Sequence, residues 1–194
     1  MPRDFMFTKE EIINAALSLT RERGFSAVSA RTLGEKLGTS SRPVFGRFEN
    51  LEEVKSAIIS AANELYQSYR KRELESGKYV PFKASGMAYI RFAREEKELF
   101  KLLFMRDRSK EALKSYADEM DELVSLVGKQ VDLNKDKATM FYLEMWIYVH
   151  GIASMIATNY LEWDEELSSR AVTDVYEGLK LRYGEKEGEK NDRS

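Results

Sequence analysis

The chain contains no cysteine. Disulfides, thiolate metal sites and cysteine nucleophiles are therefore excluded, which fits a reducing compartment. Histidine is nearly as scarce, His150 being the single copy. Nucleophile–base chemistry thus has one histidine to draw on, and no Gly-x-Ser-x-Gly sequence accompanies it. A di-iron helical bundle needs Glu-x-x-His on two helices, and here Ile147 stands where the lone His150 would require Glu. No enzyme, metal or cofactor is implied, and the scattered carboxylates read as solvated helix faces. Proline occurs only at positions 2, 43 and 81. The N-terminus lacks the apolar run of a signal peptide, and no stretch approaches the roughly 20 apolar residues that span a bilayer. A soluble, cytoplasmic protein is expected.

What is present describes an ordinary globular chain. Hydrophobic residues make up 43% and charged residues 33% of 194, enough for a sizeable core. The net charge of −2 hides a shift along the chain. Residues 1–56 hold nine Lys/Arg and eight Asp/Glu, while the remainder holds 22 basic and 25 acidic residues. Neither part is basic enough to imply nucleic acid by charge alone. Local placement has to carry any such claim.

The periodicity is helical nearly throughout, giving about nine helices and no convincing strand. Thr8 with Glu11 forms a capping box for a helix to Arg23, whose apolar face is Ile12, Ala15, Ala16 and Leu19; Gly24 ends it. Ser29 caps a short helix ended by Gly38, and Asn50 with Glu53 opens a long one. Further helices begin at Pro81, within "EKELFKLLFM", at Ser109 as a cap, within "NKDKATMFYLEMWIYVHGIASMIATNYLEW", and within "DEELSSRAVTDVYEGLKLRYG". The fold class is all-α.

The segment "TSSRPVFGRF" is basic and aromatic in an acidic chain. With Ser40 as a cap, Ser41, Arg42 and Pro43 fall in a first helical turn, where proline costs little because the leading N–H groups have no helical partner. A helix of about seven residues is expected, too short to stand alone. Val44 and Phe48, at i and i+4, are its inward pair, leaving Ser41, Arg42, Phe45 and Arg47 more exposed. Two short helices joined by four residues suit a helix-turn-helix, whose second helix reads the major groove. Plain connectors between helices can show the same pattern.

Residues 8–56, through "IINAALSLTRERG", "VSARTLGEKLGTS", the Phe45-x-x-Phe48 pair and "NLEEV", resemble the N-terminal domain of the tetracycline-repressor-like (TetR) regulators. The resemblance implies a three-helix DNA-binding domain over 1–50 and a helical ligand-binding and dimerisation domain over 51–183. Residues 184–194 are expected to form a disordered tail. It implies operator contacts by Arg31, Thr32, Ser40, Ser41, Arg42, Phe45 and Arg47. The family usually has Tyr where Phe45 stands and Lys where Leu51 stands, so a lighter hold on phosphate is implied. A helical small-molecule-binding or interaction module with weak or lost DNA binding is the competing reading.

Trp146-x-x-x-His150-Gly151 resembles the Trp-His-Gly signature of one subset of the family's C-terminal domains. Tyr142, Trp146 and His150 share one helical face. With Tyr66, Phe92, Phe100, Leu103 and Phe104 they are candidates for a ligand pocket, or simply for core. Small residues at helical spacing (Gly151, Ser154 and Thr158, then Ser168, Ala171, Val175 and Gly178), with Met155 beside them, suggest a four-helix seam with a two-fold mate, or ordinary packing within the chain. The expected protein is a transcriptional regulator, a homodimer on double-stranded operator DNA, released by a small apolar or amphipathic effector.

Overall fold

The structure, a computed structural model, describes residues 6–107 and 114–184, without the side chains of 114–119. The Ser109 cap and the tail expected beyond Gly184 lie outside the described residues. Eight α-helices are found there: α1 (Lys9–Arg23), α2 (Ala30–Lys36), α3 (Leu51–Glu75), α4 (Pro81–Glu95), α5 (Lys97–Phe104), α6 (Lys114–Val131), α7 (Lys135–Ala157) and α8 (Glu165–Gly184). Two single 3₁₀ turns, Phe25–Ala27 and Val44–Gly46, complete the regular structure. The residues form two compact units, Met1–Tyr69 with Phe92–Arg106, and Arg70–Arg91 with Asp107–Ser194.

In the first unit the polar signals act where the sequence places them. The Thr8 hydroxyl accepts from the Glu11 N–H at 3.1 Å while the Glu11 carboxylate accepts from the Thr8 N–H at 2.7 Å. That satisfies two of the helix's leading donors. Gly24 ends α1 at φ +80°, its N–H donating to the Thr20 carbonyl. Ile12, Ala16 and Leu19 of α1 are buried, as are Leu33, Val44, Phe48, Val54 and Ile58. α5 packs on α1, and there Arg21 grips Glu96 with two parallel hydrogen bonds of 2.7 and 2.9 Å. Tyr66, Phe92, Phe100 and Phe104 stack edge and tilt at 5.1 to 6.5 Å between ring centroids.

In the second unit α7 is the central helix, burying Phe141, Met145, Val149, Ile152 and Ile156. Contrary to the sequence expectation, α7 is long and apolar enough to cross a bilayer. α6 and α8 pack against it, while Met140 and Ile147 stay exposed. Phe82, Phe141, Tyr176 and Tyr183 form a second aromatic cluster. Charge is also drawn inside: Glu73 is 3% exposed and meets Arg91 at 2.9 Å, which reaches Glu165 at 3.1 Å. Lys83 donates to the Ser169 and Thr173 hydroxyls at 2.9 and 2.7 Å.

Candidate nucleic-acid interface

α2 and the turn after it are built from local polar contacts. Ser29 caps α2 reciprocally with Thr32: the Ser29 hydroxyl accepts the Thr32 N–H at 3.2 Å, and the Thr32 hydroxyl accepts the Ser29 N–H at 2.9 Å. Thr32 also donates to the Ala27 carbonyl at 2.7 Å. Just past the Leu37 cap of α2, Gly38 takes φ +68° and lets the chain double back. The Thr39 N–H then donates to the Gly34 carbonyl at 2.9 Å, laying the turn directly on the α2 backbone.

The expected third helix is corrected here. From Ser40 the chain runs as turn into one 3₁₀ turn, Val44–Gly46, held by Gly46 N–H to Pro43 carbonyl and Arg47 N–H to Val44 carbonyl. Pro43, not Ser40, precedes it, and no side chain caps it. A stretch so short closes too few i→i+4 bonds to offset the cost of nucleation, so tighter 3₁₀ bonds prevail. The inward pair is as expected: Val44 and Phe48 are buried.

The candidate contact residues separate into two sets. Arg31, Ser40, Arg42 and Phe45 are exposed, and Ser41 is half-buried. Arg42 makes no hydrogen bond or ion pair within the described residues, and Arg31 has only a loose pair with Glu35 at 3.7 Å. Thr32 and Arg47 are already engaged. Thr32 holds the α2 cap, and the Arg47 Nε donates to the Phe7 carbonyl at 2.9 Å. Sequence reasoning missed Gly34, and Lys9, which pairs with Glu53 at 3.2 Å and lies 5.0 Å over the Phe48 ring.

The candidate ligand residues fall in separate units. Tyr66, Phe92, Phe100, Leu103 and Phe104 belong to the first, where all but Phe104 are buried. Tyr142, Trp146 and His150 line up on α7 in the second. There Trp146 stacks on His150 at 5.1 Å and 13°, and the Tyr89 hydroxyl lies 2.8 Å from His150 Nδ1. Burial holds the His150 ring below the ordinary histidine pKa, favouring the neutral form that can accept from Tyr89. A hollow of about 490 Å³ opens at the α6–α7 corner beside Val124, Gly128, Leu133 and Ala138. None of the candidate ligand residues lines it.

Of the candidate interface residues, Gly151, Ser154, Met155, Thr158, Ala171, Val175 and Gly178 retain accessible surface. A Cβ added at Gly151 or Gly178 would meet nothing within 4 Å. Ser168 does not share that face: it is fully buried, its hydroxyl donating to the Asp164 carbonyl at 2.6 Å. A serine one turn into a helix can satisfy itself on the backbone and turn inward.

A capped helix, a glycine-reversed turn and a short exposed basic segment over a shared core define a helix-turn-helix DNA reader. Residues 12–58 match the bacterial regulatory proteins of the tetR family, and residues 82–176 match the tetracyclin repressor-like C-terminal domain. The chain therefore belongs to the TetR family: it is a DNA-binding transcriptional regulator and not an enzyme. The C-terminal match does not establish the Trp-His-Gly subtype. No curated protein matches the chain. Solved structures share its fold. A TetR-like transcriptional regulator from Rhodococcus sp. RHA1 aligns at TM-score 0.64 and 15% identity over 94% of this chain and 97% of its own. The multidrug binding protein EbrR, complexed with imidazole, aligns at 0.59 and 17% over 86% and 93%. The fatty acid degradation regulator FadR from Bacillus halodurans aligns at 0.59 and 17% over 90% and 96%.

Proposed function

We propose that this regulator is a cytoplasmic homodimeric repressor whose 1–50 region reads a pseudo-palindromic operator and whose 51–183 region binds a small apolar or amphipathic effector. Arg42 carries the proposal. It is exposed at the turn that follows α2 and has no partner within the described chain. An unsatisfied guanidinium on a helix-turn-helix suits a guanine edge or a phosphate. Arg31, Ser40, Ser41 and Phe45 surround it in sequence as further contact groups, with Phe45 supplying apolar contact for thymine methyl.

Two-fold symmetry suits a reader of paired half-sites. The α7 stripe of Ile147, Gly151, Ser154 and Thr158 offers a face for the mate, with Ala171, Val175 and Gly178 beside it on α8. EbrR with imidazole and a regulator of fatty acid degradation support a small organic effector. Effector and operator then weaken each other's binding by the same factor, as linkage requires.

The experiment is enrichment of duplexes from a random-sequence DNA pool by the full chain. The expected product is an inverted repeat bound by one dimer. Recovery of no preferred sequence would sink the operator assignment, and recovery of a single unrepeated half-site would sink the dimeric reading.

A further inference from the structure

We propose that Arg47 is a positioning residue of the DNA reader, strapping the entry of α1 to the recognition turn instead of pairing with a phosphate. The inference rests on the proposed contact face around Arg42.

Arg47 closes the 3₁₀ turn through its N–H to the Val44 carbonyl, and it precedes the buried Phe48. Its backbone is thus fixed from inside. Its half-buried side chain reaches 40 residues back along the chain, where Nε donates to the Phe7 carbonyl at 2.9 Å. Phe7 precedes Thr8, whose carbonyl is the first acceptor of the α1 ladder, so the Phe7 carbonyl lies outside that ladder. A second strap meets the first. Lys9 covers the Phe48 ring and pairs with Glu53, whose carboxylate accepts the Glu49 N–H at 2.7 Å. The start of α1, the recognition turn and the start of α3 are joined at one point. A single 3₁₀ turn has little rigidity of its own, so its aim must come from such contacts. The aim it sets is that of Arg42 and Phe45.

Two variants separate this role from a charge contact. In Arg47→Gln the amide nitrogen occupies the place of the arginine Nε, three carbons out from Cα, and carries no charge. Arg47→Met keeps the length and loses the donor. Affinity of the full chain is measured at several salt concentrations on the duplex enriched by the wild type, with amide hydrogen exchange followed around residues 7–12.

Gln is expected to hold affinity within about twofold, while Met weakens it by about tenfold. Neither variant changes the salt slope, and exchange quickens in Met alone. If both variants lose affinity and the slope becomes shallower by about 0.9 per arginine, Arg47 is a phosphate ligand and the proposal is overturned. Unchanged affinity in both overturns it as well. Should no duplex be enriched, the contact-face reading fails on its own. Exchange still decides the strap, and equal rates in Met and wild type overturn it.

Discussion

Gly34 lies under Ser40 so closely that a Cβ on Gly34 would come within 2.8 Å of the Ser40 carbonyl carbon. The neighbouring Thr39 oxygen would stand at 2.9 Å. Both are backbone atoms, which cannot swing aside as a side chain could. Gly34→Ala is expected to lift the turn off α2 and destabilise the unit by about 1–3 kcal/mol. Thermal unfolding and operator binding should both report it; a wild-type melting point would show that the turn yields freely.

Arg42 should behave as an operator contact and not as a structural group. Arg42→Ala is expected to leave the melting temperature within about 2 °C of wild type, since exposed surface changes seldom exceed about 0.5 kcal/mol. Operator affinity should fall, with the salt slope shallower by about 0.9 per arginine if the partner is phosphate. A loss of base preference at one position, with the slope kept, would instead assign it to a base edge.

Arg91 keeps a buried carboxylate company. Glu73 is 3% exposed, so Arg91→Met strands it, at an expected cost of about 3–5 kcal/mol. The double variant Glu73→Gln with Arg91→Met should recover most of that loss. Equal instability of the single and double variants in denaturant titration would mean that packing, not charge, is at stake.

His150 gives a signed pH dependence. Burial lowers its pKa below the ordinary 6.5, so in the native protein the ring resists protonation. The unfolded chain then binds more protons as pH falls through and below 6.5, and stability declines with falling pH in that window. His150→Gln is expected to flatten the melting-temperature profile between pH 7.5 and pH 5.5. Glu11 and Glu53, whose carboxyl pKa values are lowered chiefly by the backbone N–H groups of Thr8 and Glu49, act at more acidic pH, below 4.5.

Ile147 is 64% exposed on the same α7 stripe as Gly151 and Ser154. In a dimer joined through that stripe, Ile147→Glu places a charge at the seam. The expected result is a monomer in sedimentation at micromolar concentration, with helical content unchanged. A dimer of wild-type stability would place the mate elsewhere.

Much of the fold was legible because its signals are local. Thr8 with Glu11, Ser29, Gly24 and Gly38 each act within a few residues of themselves, and each does what its chemistry suggests. Asn50 accepts the Glu53 N–H at 2.9 Å as expected, but the Glu53 carboxylate returns to Glu49. The failures needed distant information. Ser40–Phe48 has residues suited to either an α-helix or a 3₁₀ turn, and only the constraint from Gly34 and the buried Val44 selects between them. Thr32 reads as a surface hydroxyl until Ala27 appears beside it. Ser168 looked like a small interface residue because spacing alone does not tell which face is inward. Arg47 and Phe7, 40 residues apart, left no trace that pattern could find.

Two of the three places where the chain passes between its compact units, after Tyr69 and after Arg91, fall inside α3 and α4 and not in loops. A crossover at either of these two places therefore cuts a helix, not a linker. A crossover there must preserve helical phase, since one inserted residue turns everything after it by about 100°. At those two places splicing is open only in steps that keep whole turns intact, whereas the third passage, after Arg106, lies outside the helices.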